Sequence, residues 1–294
     1  MRVTFNIVRD GLDAIHTASE QYAKAQLQVS SGRRLQVPSD DPTSSQQAVS
    51  EQSELGTIDA YTRVADSASA RLASLDTVLG DIVNKLTLAT TAVASARGAV
   101  TQPVRDAAVE TLKGVRDALL GDINTTFSGT YLFGGSKVTT PPYGGGPGAW
   151  VYQGDNTPVT VDVDRSRSVV VAMDGQSIMQ GGASSDVLSL VDGLITAVGA
   201  GDNTTMAAGM DALAAAFSRA TQAQSHVGAD ENRVSDGQDR LADLRLASAA
   251  RLSKDQDANM ADAITKMSQA QVTYQSALGA VGNASKLSLL DYLR

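Results

Sequence analysis

Apolar residues return at every seventh position near the end of the chain. Met260, Met267, Tyr274 and Val281 form one ladder, and Ala263, Ala270, Ala277 and Ala284 follow three residues behind it. The stretch from Asp257 to Leu293 thus carries an a/d seam over about four heptads, which predicts a coiled-coil face rather than a solitary amphipathic helix. Alanine at alternate seam positions lets a partner backbone come close, while the larger residues fill the holes. The start of the chain carries the same pattern. Val8, Ile15, Tyr22 and Val29 step by seven, with Gly11, Ala18 and Ala25 between them. Each seam includes one tyrosine. Matching seams at both ends predict a hairpin-like molecule whose termini lie side by side. Two unrelated surface helices on separate cores are the alternative, which such regularity disfavours.

Between the ends the pattern predicts long helices interrupted once. The first helix, from about Thr4 to Ser31, should stop in SSGRRLQVPSDDP, where Gly32 suits a left-handed C-cap and Pro38 and Pro42 disfavour helix before them. Ser39, Asp40 or Asp41 can cap the next helix, with Pro42 at its first position. Helix is expected again from Thr43 to Val100, where Leu72, Leu79, Leu86 and Val93 are joined by Leu75, Ile82, Ala89 and Ala96. Gln102-Pro103 should break it. Arg105 to Ile123 then aligns Ala108, Leu112, Val115, Leu119 and Ile123 on one face. From Gly129 to Met179 the period changes to short strand-like runs (YLFGG, AWVYQG, VTVDVD, SVVVAMDG) separated by turn clusters such as PPYGGGPG and GDNTP. Val159, Val161 and Val163 alternate with Thr160, Asp162 and Asp164, giving one dry and one wet face. Helix resumes near Asp186 with Leu188, Val191 and Ile195. After GAGDNTT a return rod follows from Met206, with Leu213, Ala220, Val227, Val234 and Leu241 seven apart.

The fold class is therefore mainly α: an elongated antiparallel helical bundle or coiled coil formed by both chain ends, with a small inserted β domain. The expected divisions are a terminal helix and bend (1–42), a helical rod (43–128), the β insert (129–184), a return rod (185–255) and a terminal helix (256–294).

Composition narrows the function classes. Over 294 residues the net charge is −8 and the pI is about 4.8, so no electrostatic footprint for nucleic acid or an anionic membrane is present. Aromatics make up only 4%, which suits thin helical layers better than a thick core. With no cysteine, disulfides, thiolate metal sites and cysteine nucleophiles all drop out. No run of apolar residues is long enough to span a bilayer, and charges interrupt any signal-peptide core in MRVTFNIVRDGLDAIH. Export, if it occurs, is expected without a cleaved secretory signal.

Catalytic patterns are missing as well. His16 and His226 have no metal-ligand spacing, GGSK at Gly134 to Lys137 lacks the form of a phosphate loop, and no G-x-S-x-G elbow occurs. Asp40-Asp41 reads as a helix start rather than an acid/base or metal pair. Asn124, Asn203 and Asn283 head triplets of the glycosylation type, which arise often by chance. The reading is not an enzyme, with no catalytic residue, no cofactor and no metal.

SSGRRLQVPSDDPTSSQQAV resembles the stretch that ends the first helix in the bacterial flagellin family. Its P-S-D-D-P form is closer to the hook–filament junction members than to filament flagellins, which carry a K-D-D-A-like version. LLGDINTTFSGTYLFGGSK is similar to the junction members' entry into their β domain, and KLSLLDYLR to their S-L-L-D-x-L close. The resemblance covers both ends and, by layout, the middle. It implies a self-assembling structural component of the bacterial flagellum that links hook to filament, secreted to the cell exterior through the flagellar channel and serving motility. Val8, Ile15, Tyr22 and Val29 would pair with Met260, Met267, Tyr274 and Val281 in the inner tube wall. Gly32, Pro38, Asp40, Asp41 and Pro42 would form the bend between helical layers. Implied partners are further copies of the chain, a neighbouring hook-associated protein, flagellin, the export apparatus and an export chaperone. A small filament flagellin is the alternative within the family. A soluble coiled-coil signalling or scaffold protein is the alternative outside it, and it would leave the β insert unexplained.

Overall fold

Val3–Ser31 forms one helix, α1, and Pro42–Arg97 a second, α2, followed by α3 at Gln102–Ile123. Short strands come next among the described residues: β1 (Thr126–Phe127), β2 (Thr130–Tyr131), β3 (Tyr143–Gly144), β4 (Val151–Tyr152), β5 (Val159–Asp164) and β6 (Arg167–Ala172). The chain closes with α4 (Gly175–Met179), α5 (Val187–Ala200), α6 (Asn203–Gln256) and α7 (Met260–Tyr292). This computed structural model describes residues 3–99, 101–165, 167–182 and 186–292, and only the backbone of 3–8 and 284–292. Val100 and Leu293, expected as helix ends, fall outside the described residues, as do the 184/185 division and the side chains of Val8 and Ala284.

The chain divides into two packed units, residues 1–58 with 243–294, and residues 59–242. The second unit owns the larger core. Leu72, Leu75, Leu79, Ile82, Leu86 and Val93 of α2 are almost completely buried, as are Leu112, Val115, Leu119 and Ile123 of α3. From α6 the seven-step ladder Leu213, Ala220, Val227, Val234 and Leu241 is buried too, preceded by Met206. Sequence period and burial agree along these rods because each helix uses one stripe against its neighbours. α5 is capped by Asp186, whose carboxylate accepts the Ser189 N–H at 2.9 Å, and packs on α3.

One predicted break falls elsewhere. α2 ends at Arg97, and Gln102-Pro103 opens α3 instead of closing its predecessor. Proline is tolerated there because a first-turn N–H has no intrahelical acceptor to lose.

Among the described residues the β region is three separate antiparallel pairs, β1–β2, β3–β4 and β5–β6. β5–β6 keeps the predicted alternation, with Val163 buried and Thr160 and Asp162 exposed. Of YLFGG only Tyr131 lies in a strand, at the end of β2; Leu132 and Phe133 then enter the core outside any strand. Conversely, PPYGGGPG, read as a turn, contains β3, and Tyr143 is buried. Burial of a single aromatic outweighed the turn preference of its neighbours.

Asp122, in the last turn of α3, has one carboxylate oxygen buried without a hydrogen-bond partner. Burial pushes its pKa above the ordinary carboxylate range; Asp81 adds to the rise and Lys85 opposes it. A carboxyl raised on folding is penalised once ionised. The penalty is absent below its ordinary pKa, grows with pH, and is complete above the raised folded value. Asp122→Asn should therefore stabilise the protein at pH 7 by about 0.5–1 kcal/mol, a figure held low because the group is partly wetted and screened. Urea denaturation at pH 7 and pH 4 checks this, with the gain shrinking at the lower pH.

Candidate functional site

α1 and α7 pack against each other over much of their length. Tyr22 and Tyr274 stack with parallel rings, 2° between planes and 6.3 Å between centroids. Ala18, Ala25 and Ala263 are buried in the seam, and Gly11, Ile15, Val29, Met267, Ala270, Ala277 and Val281 are half-buried. At Gly11 the helices come closest: a Cβ there would lie 2.8 Å from Val281 Cγ2. Met260 departs from the seam expected for it. It is the first helical residue of α7 and is 43% exposed.

Among the residues whose side chains are described, one strip of each helix is covered. Leu12 (51% exposed), Ile264 (50%) and Leu278 (44%) stand outside it. Each follows directly on a small seam position (Gly11, Ala263, Ala277), so all three share the heptad flank beside the seam. Leu27 and Val272 add further exposed apolar surface. Full burial of one such side chain is worth about 1.5–3 kcal/mol.

The bend after α1 is built locally. Gly32 adopts φ +69° and donates its N–H to Gln28 O at 3.0 Å, a left-handed helix end that a Cβ would strain. Asp41 caps α2: it accepts the Ser44 N–H at 3.1 Å and the Ser44 hydroxyl at 2.6 Å, with Pro42 in the first helical position. Asp40 does different work. It accepts from Lys24 Nζ at 2.6 Å and from the N–H groups of Gln36 and Val37, folding the loop around Pro38 back towards α1. The Lys24 contact foremost, then those N–H groups, hold the Asp40 pKa below the ordinary carboxylate range; the Ser44 contacts and Arg34 do the same for Asp41. Both carboxylates are charged structural acceptors.

Sequence reasoning did not find what the bend touches. Arg34 N donates to Gln256 O at 2.8 Å and Ala258 N to Gly32 O at 2.8 Å, so Arg33 and Asp257 form an isolated antiparallel bridge. The Arg34 guanidinium also donates to Asp255 O at 2.8 Å and reaches Asp41 at 3.4 Å. Leu35, within the loop, is buried. Nearby, Arg251 of α6 grips both carboxylate oxygens of Glu51 of α2. The only available signal was that two helix breaks, 32–41 and 257–259, occur at the base of both seams. Among the described residues no cluster of histidine and acidic side chains is arranged to hold a metal ion, and no helix is long and apolar enough to cross a membrane.

Two family models match the chain: the bacterial flagellin N-terminal helical region over residues 10–138, and the bacterial flagellin C-terminal helical region over residues 210–293. Flagellar hook-associated protein 3 of Salmonella typhimurium is 26% identical over 190 residues, 64% of this chain and 59% of that protein. The Escherichia coli protein of the same name is 28% identical over 181 residues, 61% of this chain and 56% of its own. The match thus spans less than two thirds of either relative. A solved structure described as a flagellar hook-associated protein of Vibrio parahaemolyticus shares the fold, with a TM-score of 0.70 at 22% identity over 74% of this chain and all of that one.

Proposed function

This chain belongs to the bacterial flagellin family, and we propose that within it the chain is the junction piece that joins hook to filament. The observation that carries the reading is the α1–α7 pair, covered along one strip and bare along the flank of Leu12, Ile264 and Leu278. Such a pair is half of a packed layer. Neighbouring copies supply the other half when contacts run head to tail, and contacts of that kind close into rings or continue as helical tubes. Val8, Ile15, Tyr22, Val29, Met260, Met267, Tyr274 and Val281 form the seam of the inner wall, with Met260 reaching a neighbouring copy. Gly32, Pro38, Asp40, Asp41 and Pro42 make the bend at its edge.

A neighbouring hook-associated protein and flagellin are the contacts on either side. The chain works outside the cell, in the flagellum, and reaches it through the flagellar export apparatus with an export chaperone and without a cleaved signal peptide. The likeness to the hook-associated relatives and the P-S-D-D-P and S-L-L-D-Y-L segments support this assignment over a filament flagellin.

Electron microscopy of the purified chain with short hook fragments, followed by flagellin, is the test. A thin discrete cap on the hook that then accepts flagellin is expected. Long filaments from this chain alone would make it a flagellin, and failure to bind hook ends would end the junction reading.

A further inference from the structure

Two series of side chains run along opposite flanks of α6, each stepping by seven residues. Arg219, His226, Arg233 and Arg240 form the first, directly before the buried ladder Ala220, Val227, Val234 and Leu241. It faces the β region: Arg219 donates to Ile178 O at 3.1 Å and to Met179 O at 3.3 Å, and Arg240 reaches Asp164 at 3.7 Å. Phe217, Gln224, Glu231 and Gln238 form the second. It faces α2, where Gln224 donates to Asp76 at 3.1 Å and Gln238 to Asp66 at 2.8 Å. One flank of the rod is therefore basic, and the other gathers the carboxylates of Glu231, Asp76 and Asp66.

On the basic flank a cavity of about 310 Å³ opens between α6 and the end of β6, walled by Val170, Met173, Val227 and Ala229 and edged by His226, Asp230 and Arg233. Asp230 is only 8% exposed and accepts from Arg233 at 2.6 Å, while most of the arginine side chain stays in solvent. On the acidic flank stands Phe217, 41% exposed and the one exposed aromatic side chain among those described. We propose that Phe217 of one copy seats in this cavity of the next, with the acidic flank of the first lying along the basic flank of the second. An aromatic anchor in an apolar pocket with a polar rim is the arrangement that concentrates binding energy at an interface. Charge selects the occupant. On a chain of net charge −8, a basic flank draws the acidic flank of another copy and repels a second basic flank, which favours a head-to-tail contact over a two-fold one. Knob and hole on opposite flanks let that contact propagate from copy to copy. Phe217 lies about 18 Å along α6 from the middle of the cavity wall, so parallel rods meet with roughly that offset. The contact rests on the assembly of copies proposed for this chain, and it names which surfaces of the 59–242 unit meet.

Single cysteines beside each feature report the contact in full-length chains that have no other cysteine: Thr221→Cys, one turn beyond Phe217, and Asn232→Cys, one turn beyond Ala229, both at exposed positions. The two chains are mixed at high concentration, with and without hook fragments, and treated with a short bismaleimide. Products joining 221 to 232 should outnumber the symmetric 221–221 and 232–232 products together. Phe217→Asp in the first chain should lower the mixed product by about tenfold, the share of a half-exposed phenyl ring's burial. Ala229→Trp in the second chain crowds the cavity from its exposed wall and should do the same, with circular dichroism unchanged in both. Mixed and symmetric products in statistical proportion would overturn the proposal, as would an excess that survives both substitutions. Hook ends capped without the 221–232 excess would overturn it and leave the junction role standing. The excess formed in solution beside bare hook ends would support it and end the junction role alone.

Discussion

Arg71→Met should lower the stability of the 59–242 unit by about 3 kcal/mol, the sum of hydrogen bonds to a charged group that each contribute about 1.5–3 kcal/mol, less what water recovers. Arg71 lies on α2, and its guanidinium spends all three nitrogens on the β region. Nε donates to Val171 O at 2.5 Å, Nη1 to Thr130 Oγ1 at 2.8 Å and Nη2 to Tyr131 O at 3.1 Å. One side chain therefore ties the β1–β2 pair and β6 to the helical core. Burial pushes its pKa down without neutralising it. Methionine keeps the stem's packing and leaves the carbonyls of Val171 and Tyr131 without their donor. At about 2–4 °C per kcal/mol for a unit of this size, the melting transition should fall by roughly 6–12 °C. Arg71→Lys should recover only part of this, because an ammonium cannot span three acceptors in a fork. Calorimetry on the three proteins decides it. A drop below about 1 °C for methionine would mean that the hairpins are held by their apolar undersides, Leu132, Phe133 and Val169, alone.

Arg71 also marks the limit of what the sequence discloses. The rods were legible because each residue's burial repeats with the helix: Leu72, Leu79, Leu86 and Val93 announce themselves by spacing. The bend was legible because its causes are local, a glycine with a left-handed backbone and an aspartate directly before a proline. Arg71 precedes Leu72 and resembles any arginine on a helix flank; its acceptors lie 59, 60 and 100 residues away. Asp192 is similar. It accepts from Arg116 at 3.0 Å, Trp150 Nε1 at 2.7 Å and Gly148 N at 2.9 Å, anchoring the glycine-rich turn to α5. The clip of Arg34 on Gln256 follows the same rule. Backbone carbonyls have no side-chain identity, so contacts that end on them leave no trace in residue type. Met260 failed for a different reason. Its spacing is right, but the helix starts at that residue and the seam has no turn beyond it.

The largest effect expected on assembly comes from the uncovered flank of the helix pair. Ile264→Asp with Leu278→Asp should leave the single chain folded and raise the concentration needed for assembly on hook ends by about 100- to 1000-fold. That figure follows from losing burial of about 1.5–2 kcal/mol at each of two side chains, the low end for full burial because each is already partly covered, with 1.4 kcal/mol per factor of ten. Both residues already meet solvent in the isolated chain, so a carboxylate there disturbs no existing contact. In an assembled wall the same carboxylates would have to be stripped of water against an apolar neighbour, which adds to the loss. They sit two heptads apart on one face of α7, so a single neighbouring helix would meet both. Circular dichroism should match the unsubstituted chain, and sedimentation with hook fragments should show the change. Val49→Asp with Leu246→Asp is the matched comparison, because those two side chains are at least as exposed in the same unit and lie on other helices. Assembly blocked by the second pair and spared by the first would move the contact between copies from the seam flank to α2 and α6. The α1–α7 pair would then be a closed element, and its bare flank would face the channel rather than a neighbour.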